Sequence, residues 1–342
     1  MHVLSISALK GGVGKTTITL GLASAAMSKG LRTLVIDLDP QCNASHGLGA
    51  VGDFDFSAAE VIKKPRHTIV DKAIVAASWA KGQTGRLDIM SANSRLSSLN
   101  AANPSFKSLW HLEQAISKVE SDYDLVLIDT PPSVNALTRM AWVASDRVLL
   151  VAEPSINAVI AVEAAVKALD DVRKQVNRQV SLFGIVINRL RPSVAEHQYR
   201  VNELEELYPN FVLLPAFEEK SSVQQSQGAG RSIHSWPGQS AAKIAVQFDL
   251  LLEQAQVSFA SEDLRRLEKS TPKNRYASRS KGNGSIQLPV VGTVEGSTSP
   301  EGERVESVNP EPVSAEYQEK WQEVLRQTMT EKQIKSLIEK ND

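Results

Sequence analysis

Residues 7–30 read SALKGGVGKTTITLGLASAAMSKG, and the first half of this stretch has the make-up of a loop that holds phosphate. Gly11, Gly12 and Gly14 leave room for backbone N–H groups to approach anionic oxygens. Lys15 is placed to reach β- and γ-phosphates, Thr16 to offer its hydroxyl to Mg2+, and Thr17 to hydrogen-bond an α-phosphate. Such a loop ordinarily reads G-x-x-x-x-G-K-[ST]. Here Leu9 occupies the first glycine position and a second lysine, Lys10, follows it. Lys10 cannot easily repeat the work of Lys15 in one site. It is expected to point across an interface, so that two nucleotide-bound subunits facing each other exchange lysines and offset charge building up on the phosphoryl oxygens.

Two further acidic motifs follow buried-strand patterns. In VIDLDPQCNAS (35–45), Asp39 is the candidate to orient an attacking water, and Asp37 the candidate to hold the Mg2+ shell or Thr16. In YDLVLIDTPPS (123–133), an apolar strand ends in Asp129, an acid placed to hold Mg2+ through water. Pro131 and Pro132 stop that strand and begin a loop suited to sensing a γ-phosphate.

The elements that must position these residues alternate in type. HVLSISAL (2–9), RTLVIDLD (32–39), LDIMSA (87–92), DLVLIDT (124–130), RVLLVAE (147–153), LFGIVIN (182–188) and FVLLPAF (211–217) read as short apolar strands, with helical segments between most of them. The first helix, 15–29, stops at Gly30. This is the pattern of an α/β fold with a mostly parallel twisted sheet covered by helices on both faces, which binds ligands at the carboxyl ends of its strands. Residues 1–255 are expected to form that domain. From 256 the composition turns charged and then Gly/Ser/Pro-rich to 313, which reads as a disordered linker, and 314–342 regains helix formers as a possible terminal helix. Of 342 residues 42% are hydrophobic, net charge is −1, and Cys42 is the single cysteine. No global field draws the chain to nucleic acid, and no internal disulfide can form, which suits a cytoplasmic setting.

KGGVGKTT (10–17) resembles the deviant phosphate loop of the ParA/MinD ATPases, which are P-loop NTPases. Asp37, Asp39, Pro40, Gln41 and Asn43 are similar to the D-x-D-P-Q-x-N segment of the ParA/Soj branch, and Asp129-Thr130-Pro131-Pro132 to the family's D-T-P-P. The resemblance covers roughly residues 1–255. It implies ATP and Mg2+ as cofactors, with Gly11, Gly12, Val13, Gly14, Lys15, Thr16 and Thr17 cradling the phosphates. It also implies an ATP-sandwich homodimer in which Lys10 enters the other subunit's site, and Asn188, Pro215 and Phe217 beside the adenine. The function implied is plasmid or chromosome partitioning by an ATPase that holds nucleoid DNA without sequence preference and is stimulated by a ParB-like protein. The alternatives are a MinD-like membrane-cycling regulator, against which the D-P-Q segment argues, and a ParA-like positioner of protein cargo. Membrane docking is not expected.

The sequence departs from the family after the last strand. Where ParA proteins usually carry basic residues, this chain reads PAFEEKSS, with Glu218 and Glu219. Arg189, Arg191, Arg200, Lys220 and Arg231 remain as candidates for DNA contact. A basic run from 262 to 281, including Arg265, Arg266 and Lys269, is a second candidate.

Overall fold

A computed structural model describes residues 1–270 other than 51, 53, 81–84 and 101–103, with only the helical backbone described over 262–270. The strands are β1 (His2–Ser7), β2 (Thr33–Asp37), β3 (Ile74–Ala76), β4 (Leu87–Met90), β5 (Leu125–Asp129), β6 (Arg147–Ala152), β7 (Ser181–Ile187) and β8 (Val212–Leu213). The helices are α1 (Lys15–Ser28), α2 (Asn43–Gly47), α3 (Ala58–Lys63), α4 (His67–Ala73), α5 (Leu96–Asn100), α6 (His111–Ile116), α7 (Ala136–Val143), α8 (Ile156–Gln175), α9 (Ala195–Leu207), α10 (Ser221–Gly228) and α11 (Gln239–Ser270).

The strands form one sheet in the order β3-β4-β2-β5-β1-β6-β7-β8. All neighbours run parallel except β3, which lies antiparallel to β4 at one edge. The expected α/β fold is therefore present, with the short antiparallel edge strand as an addition that three residues of sequence do not announce. The apolar run 211–217 yields only the two residues of β8, because Pro215 has no N–H to continue the ladder.

Alternation along each strand sends side chains to opposite faces. Val35 and Leu127 join a core with Leu22, Phe248 and Leu252 from α1 and α11. Leu34, Ile36, Val126 and Ile128 pack instead with α3, α6 and α7. On the half of the sheet beyond β1, Val148, Leu150, Ile185 and Ile187 pack with α8 and α9. The helices α1 and α11 approach closely at Gly21, where a Cβ would lie 2.1 Å from the Phe248 ring. The helix α11 runs to Ser270, past the domain end expected at 255. The linker expected over 256–313 thus begins as helix as far as Ser270; the rest of it and the terminal helix expected over 314–342 lie outside the described residues.

β1 lies between β5 and β6, so the connections leaving β1 and β5 diverge at its carboxyl end. This is the crevice where such sheets take ligands, and it is where the glycine loop, Asp129 and Asp39 arrive.

Candidate nucleotide site

The loop between β1 and α1 is shaped by two left-handed glycines, Gly12 (φ 80°) and Gly14 (φ 95°), a conformation L side chains rarely adopt. Gly14 caps α1 without a side-chain acceptor, so the first-turn N–H groups are left for an anion. Above Gly11 and Gly12 a Cβ would meet nothing within 4 Å. A cavity of about 640 Å3 opens there, and Gly11, Gly12, Gly14, Lys15, Thr16 and Asp39 line it together with Arg189, Gln227 and Gly228. Asn188, at the end of β7, donates from Nδ2 to the Val13 carbonyl at 2.7 Å. A side chain at Gly14 would collide with that amide at 2.1 Å. Asn188 thus holds the loop from beneath.

The acids meet beside the loop because β2 and β5 are neighbours, with Asp37 in register opposite Asp129. Thr16 donates to Asp129 Oδ2 at 2.7 Å and Thr19 to Oδ1 at 3.2 Å. Asp37 accepts from the Ser45 N–H and hydroxyl, both at 2.8 Å, and from the Asp39 N–H at 3.0 Å. Thr16 is therefore bound to Asp129 and not to Asp37. Residues two apart on a continuous strand share a face, but β2 ends at Asp37 and the chain turns through Pro40. Asp37 stays fully buried, while Asp39, 7% exposed, lines the cavity with Oδ1 accepting from the Gln41 N–H at 3.0 Å.

Burial pushes the Asp37 carboxyl up to about 7, with the Asp129 charge adding to it. Burial likewise pushes Asp129 up to about 6, against the pull of Thr16 and Lys15. Lys15 is lowered by burial, with Asp129 and Asp39 opposing. A hydroxyl and a buried carboxylate at hydrogen-bond distance beside a phosphate-shaped cavity form a hard-oxygen donor set that suits Mg2+. Mg2+ and protons then compete for these acids. Raised carboxyl values put the competition below neutrality. Apparent Mg2+ affinity, titrated with a fluorescent ATP analogue, should be level from about pH 8 to 7.5 and fall below that by up to about tenfold per unit. A flat profile from pH 8 to 5.5 would refute this placement of the charge.

Lys10 lies outside this cavity. Its ammonium pairs with Glu153 Oε1 and stands 3.4 Å from the Ser155 hydroxyl, at the residue that caps α8. The pair is only partly exposed, with 34% of the lysine side chain accessible.

On the base side the expected residues diverge. Asn188 reaches the loop. Phe217 is buried, its ring centroid 4.6 Å from that of Phe248, beside a void of about 40 Å3 that is too small for a purine. Pro215, which follows a cis peptide bond, lines neither cavity. Sequence reasoning did not assign Ser45, the buried partner of Asp37, nor Glu153, the partner of Lys10. It also did not give Arg189 a place at the cavity, although this residue follows Asn188 with φ 58°, a left-handed setting that is unusual without glycine.

The family model described as an AAA domain (AAA_31) matches residues 1–182. The chain belongs to this family, that of the ParA/Soj-type partition ATPases. The chromosome partitioning protein ParA of Caulobacter vibrioides is 30% identical over 190 residues, 55% of this chain and 69% of that protein. Among solved structures, cobyrinic acid a,c-diamide synthase of Mycobacterium smegmatis, with a bound ATP analogue and magnesium, is 25% identical at TM-score 0.57. The match covers 65% of this chain and 86% of that one. An ATP complex of a Cyanothece McdA variant superposes at TM-score 0.65 with 19% identity, covering 75% and 96%, and shows the shared fold. In this ParA-type chain the matched segment holds the phosphate loop, both aspartates of the β2 motif, Asp129 and Glu153, whereas Asn188 and Arg189 lie beyond it.

Proposed function

We propose that this chain is an ATP-driven association switch that pairs with a second copy of itself when loaded with ATP, and that the pair holds DNA without sequence preference during partitioning. Val13, the glycines, Lys15 and Thr17 would hold the phosphates, with Thr16 and Asp129 holding Mg2+, which neutralises charge on the phosphoryl oxygens. Asp37 is held by Ser45 and accepts the Asp39 N–H, and so fixes the turn that presents Asp39. Asp39 faces the cavity and would align the water that attacks the terminal phosphorus. Each subunit's Lys10 would serve the other subunit's nucleotide. The observation that carries this reading is the position of Lys10, which stands at the phosphate loop yet outside its own cavity.

Among the described residues no helix is long and apolar enough to cross a membrane. The partitioning context is supported by the relative named for chromosome partitioning, and a ParB-like stimulator is part of this proposal, as the family resemblance implies. The test is light scattering of the full chain with Mg2+ and either ATP or ADP, joined to co-sedimentation with random-sequence DNA. A doubled mass and DNA retention with ATP, and neither with ADP, are the expected results. A single-chain mass at saturating ATP would overturn the switch.

A further inference from the structure

Of the basic residues expected to face DNA, the side chains of the 262–281 run lie outside the described residues, and those of the folded domain are largely neutralised within the chain. Arg191 pairs with Glu219 at 2.6 Å, and Lys220 with Glu218 at 2.6 Å. Arg200 is shared between Glu196 at 2.6 Å and Glu203 at 2.8 Å. Arg231 donates to the Ser235 carbonyl and lies 5.7 Å from the Trp236 ring centroid. Arg189 lines the nucleotide cavity. Exposed ion pairs are weak and can open, but their acids would stay beside the phosphates and offset the attraction.

The opposite situation holds at the junction of α3 and α4, which reads VIKKPRH (61–67). Lys63, Lys64 and Arg66 are all exposed, and none makes an ion pair among the described residues. The acids nearest along the chain are turned elsewhere. Glu60 stands four residues before Lys64, the spacing of a helical ion pair, yet its carboxylate takes the Ser57 N–H and hydroxyl and the Arg95 guanidinium. Asp71 is held by His67 at 2.6 Å. Lys72, one turn further on, lies 5.3 Å from the Phe56 ring centroid.

This corner is also stiff. The capping box of Ser57 and Glu60 fixes the start of α3, Ala58 N–H donates to the Ser91 carbonyl at 2.9 Å, and His111 hydrogen-bonds the Ile62 carbonyl at 2.7 Å. The Arg66 N–H closes the turn on the Lys64 carbonyl at 2.7 Å. Three adjacent like charges with no ion-paired acid among the described residues repel one another, and a rigid mount lowers the ordering cost when a polyanion relieves that repulsion.

We propose that Lys63, Lys64 and Arg66 form the phosphate-contacting surface through which the ATP-bound pair grips the DNA backbone, in place of the basic positions after β8. This inference rests on the DNA-binding reading above. DNA is the polyanion of choice because its closely spaced phosphates match a dense, acid-free run of cations.

The experiment measures affinity of the full chain for a random-sequence duplex by fluorescence anisotropy, with ATP and Mg2+, across about 50–200 mM salt. The Lys63→Gln/Lys64→Gln/Arg66→Gln variant should lose tenfold or more in affinity, and its log–log salt slope should shrink by about 3. Arg66→Gln alone should reduce the slope by about 1. Arg191→Gln/Lys220→Gln should stay within about threefold of wild type, while all variants keep ATP-dependent pairing. Wild-type slope in the triple variant, or an equal loss in the control pair, overturns the proposal while the DNA reading stands. Loss of partner stimulation with DNA affinity intact overturns it in favour of an acidic polypeptide. Absence of ATP-dependent DNA affinity in the wild type defeats the DNA reading itself.

Discussion

Lys10→Ala should bind ATP as well as the wild type does, yet fail to pair and hydrolyse ATP about 10³-fold more slowly. The two lysines of the loop are separated by their surroundings. Lys15 is buried next to Asp129 and Asp39 and belongs to the chain's own cavity. Lys10 is held by Glu153 at the end of β6, beside the α8 cap. Its partly exposed ion pair contributes little to stability, so its loss leaves the fold and the phosphate cradle in place. What would disappear is the cation proposed to act only when a second subunit arrives. The measurements are nucleotide affinity by fluorescence, mass by light scattering and phosphate release. Glu153→Gln frees the same lysine and should move the ATP titration of pairing to lower protein concentration. Normal turnover in Lys10→Ala would show that its charge is not used in the reaction.

Asp39→Ala should separate pairing from chemistry in the other direction. The variant is expected to pair with ATP and to hydrolyse it about 10²–10⁴-fold more slowly, so that the ATP-bound pair accumulates. Asp39 faces the cavity beside Gly11 and Gly12, whereas Asp37, two residues earlier, is committed to Ser45 and the chain turn. Removing Asp39 therefore deletes the group that can orient water while the buried acid pair and the loop remain. Single-turnover phosphate release and the lifetime of the pair after ATP is diluted are the readouts. Unimpaired hydrolysis would assign the water to another group.

The parts legible in sequence are those whose physics is local. Left-handed glycines before a Lys-Thr pair specify a phosphate loop within a few residues, because the backbone that cradles the anion is continuous. Apolar runs such as LVLID (125–129) announce strands covered on both faces, and an acid at their end is a recognisable signal. The order of these elements was enough to indicate the α/β sheet and to put Lys15, Thr16, Asp39 and Asp129 at one crevice. The run FVLLPAF promised more strand than Pro215 permits, and the three residues of β3 carried too little pattern to stand out.

What only the folded chain decided is how each charge is spent. Lys10 meets Glu153 across 143 positions, Thr16 meets Asp129 across 113, and Arg191 meets Glu219 across 28. By contrast, Glu60 has Lys64 at helical spacing and turns to Arg95 instead. The sequence by itself determined the phosphate loop, the strand-end acids and the sheet that brings them together, since these follow from local backbone preference and hydrophobic pattern. The tertiary structure alone decided which cations are tied to acids of the chain, as Lys10 and Arg191 are, and which make no ion pair among the described residues, as Lys63, Lys64 and Arg66 do not. Electrostatic attraction falls off with distance in space, and the number of residues between two charges does not measure that distance.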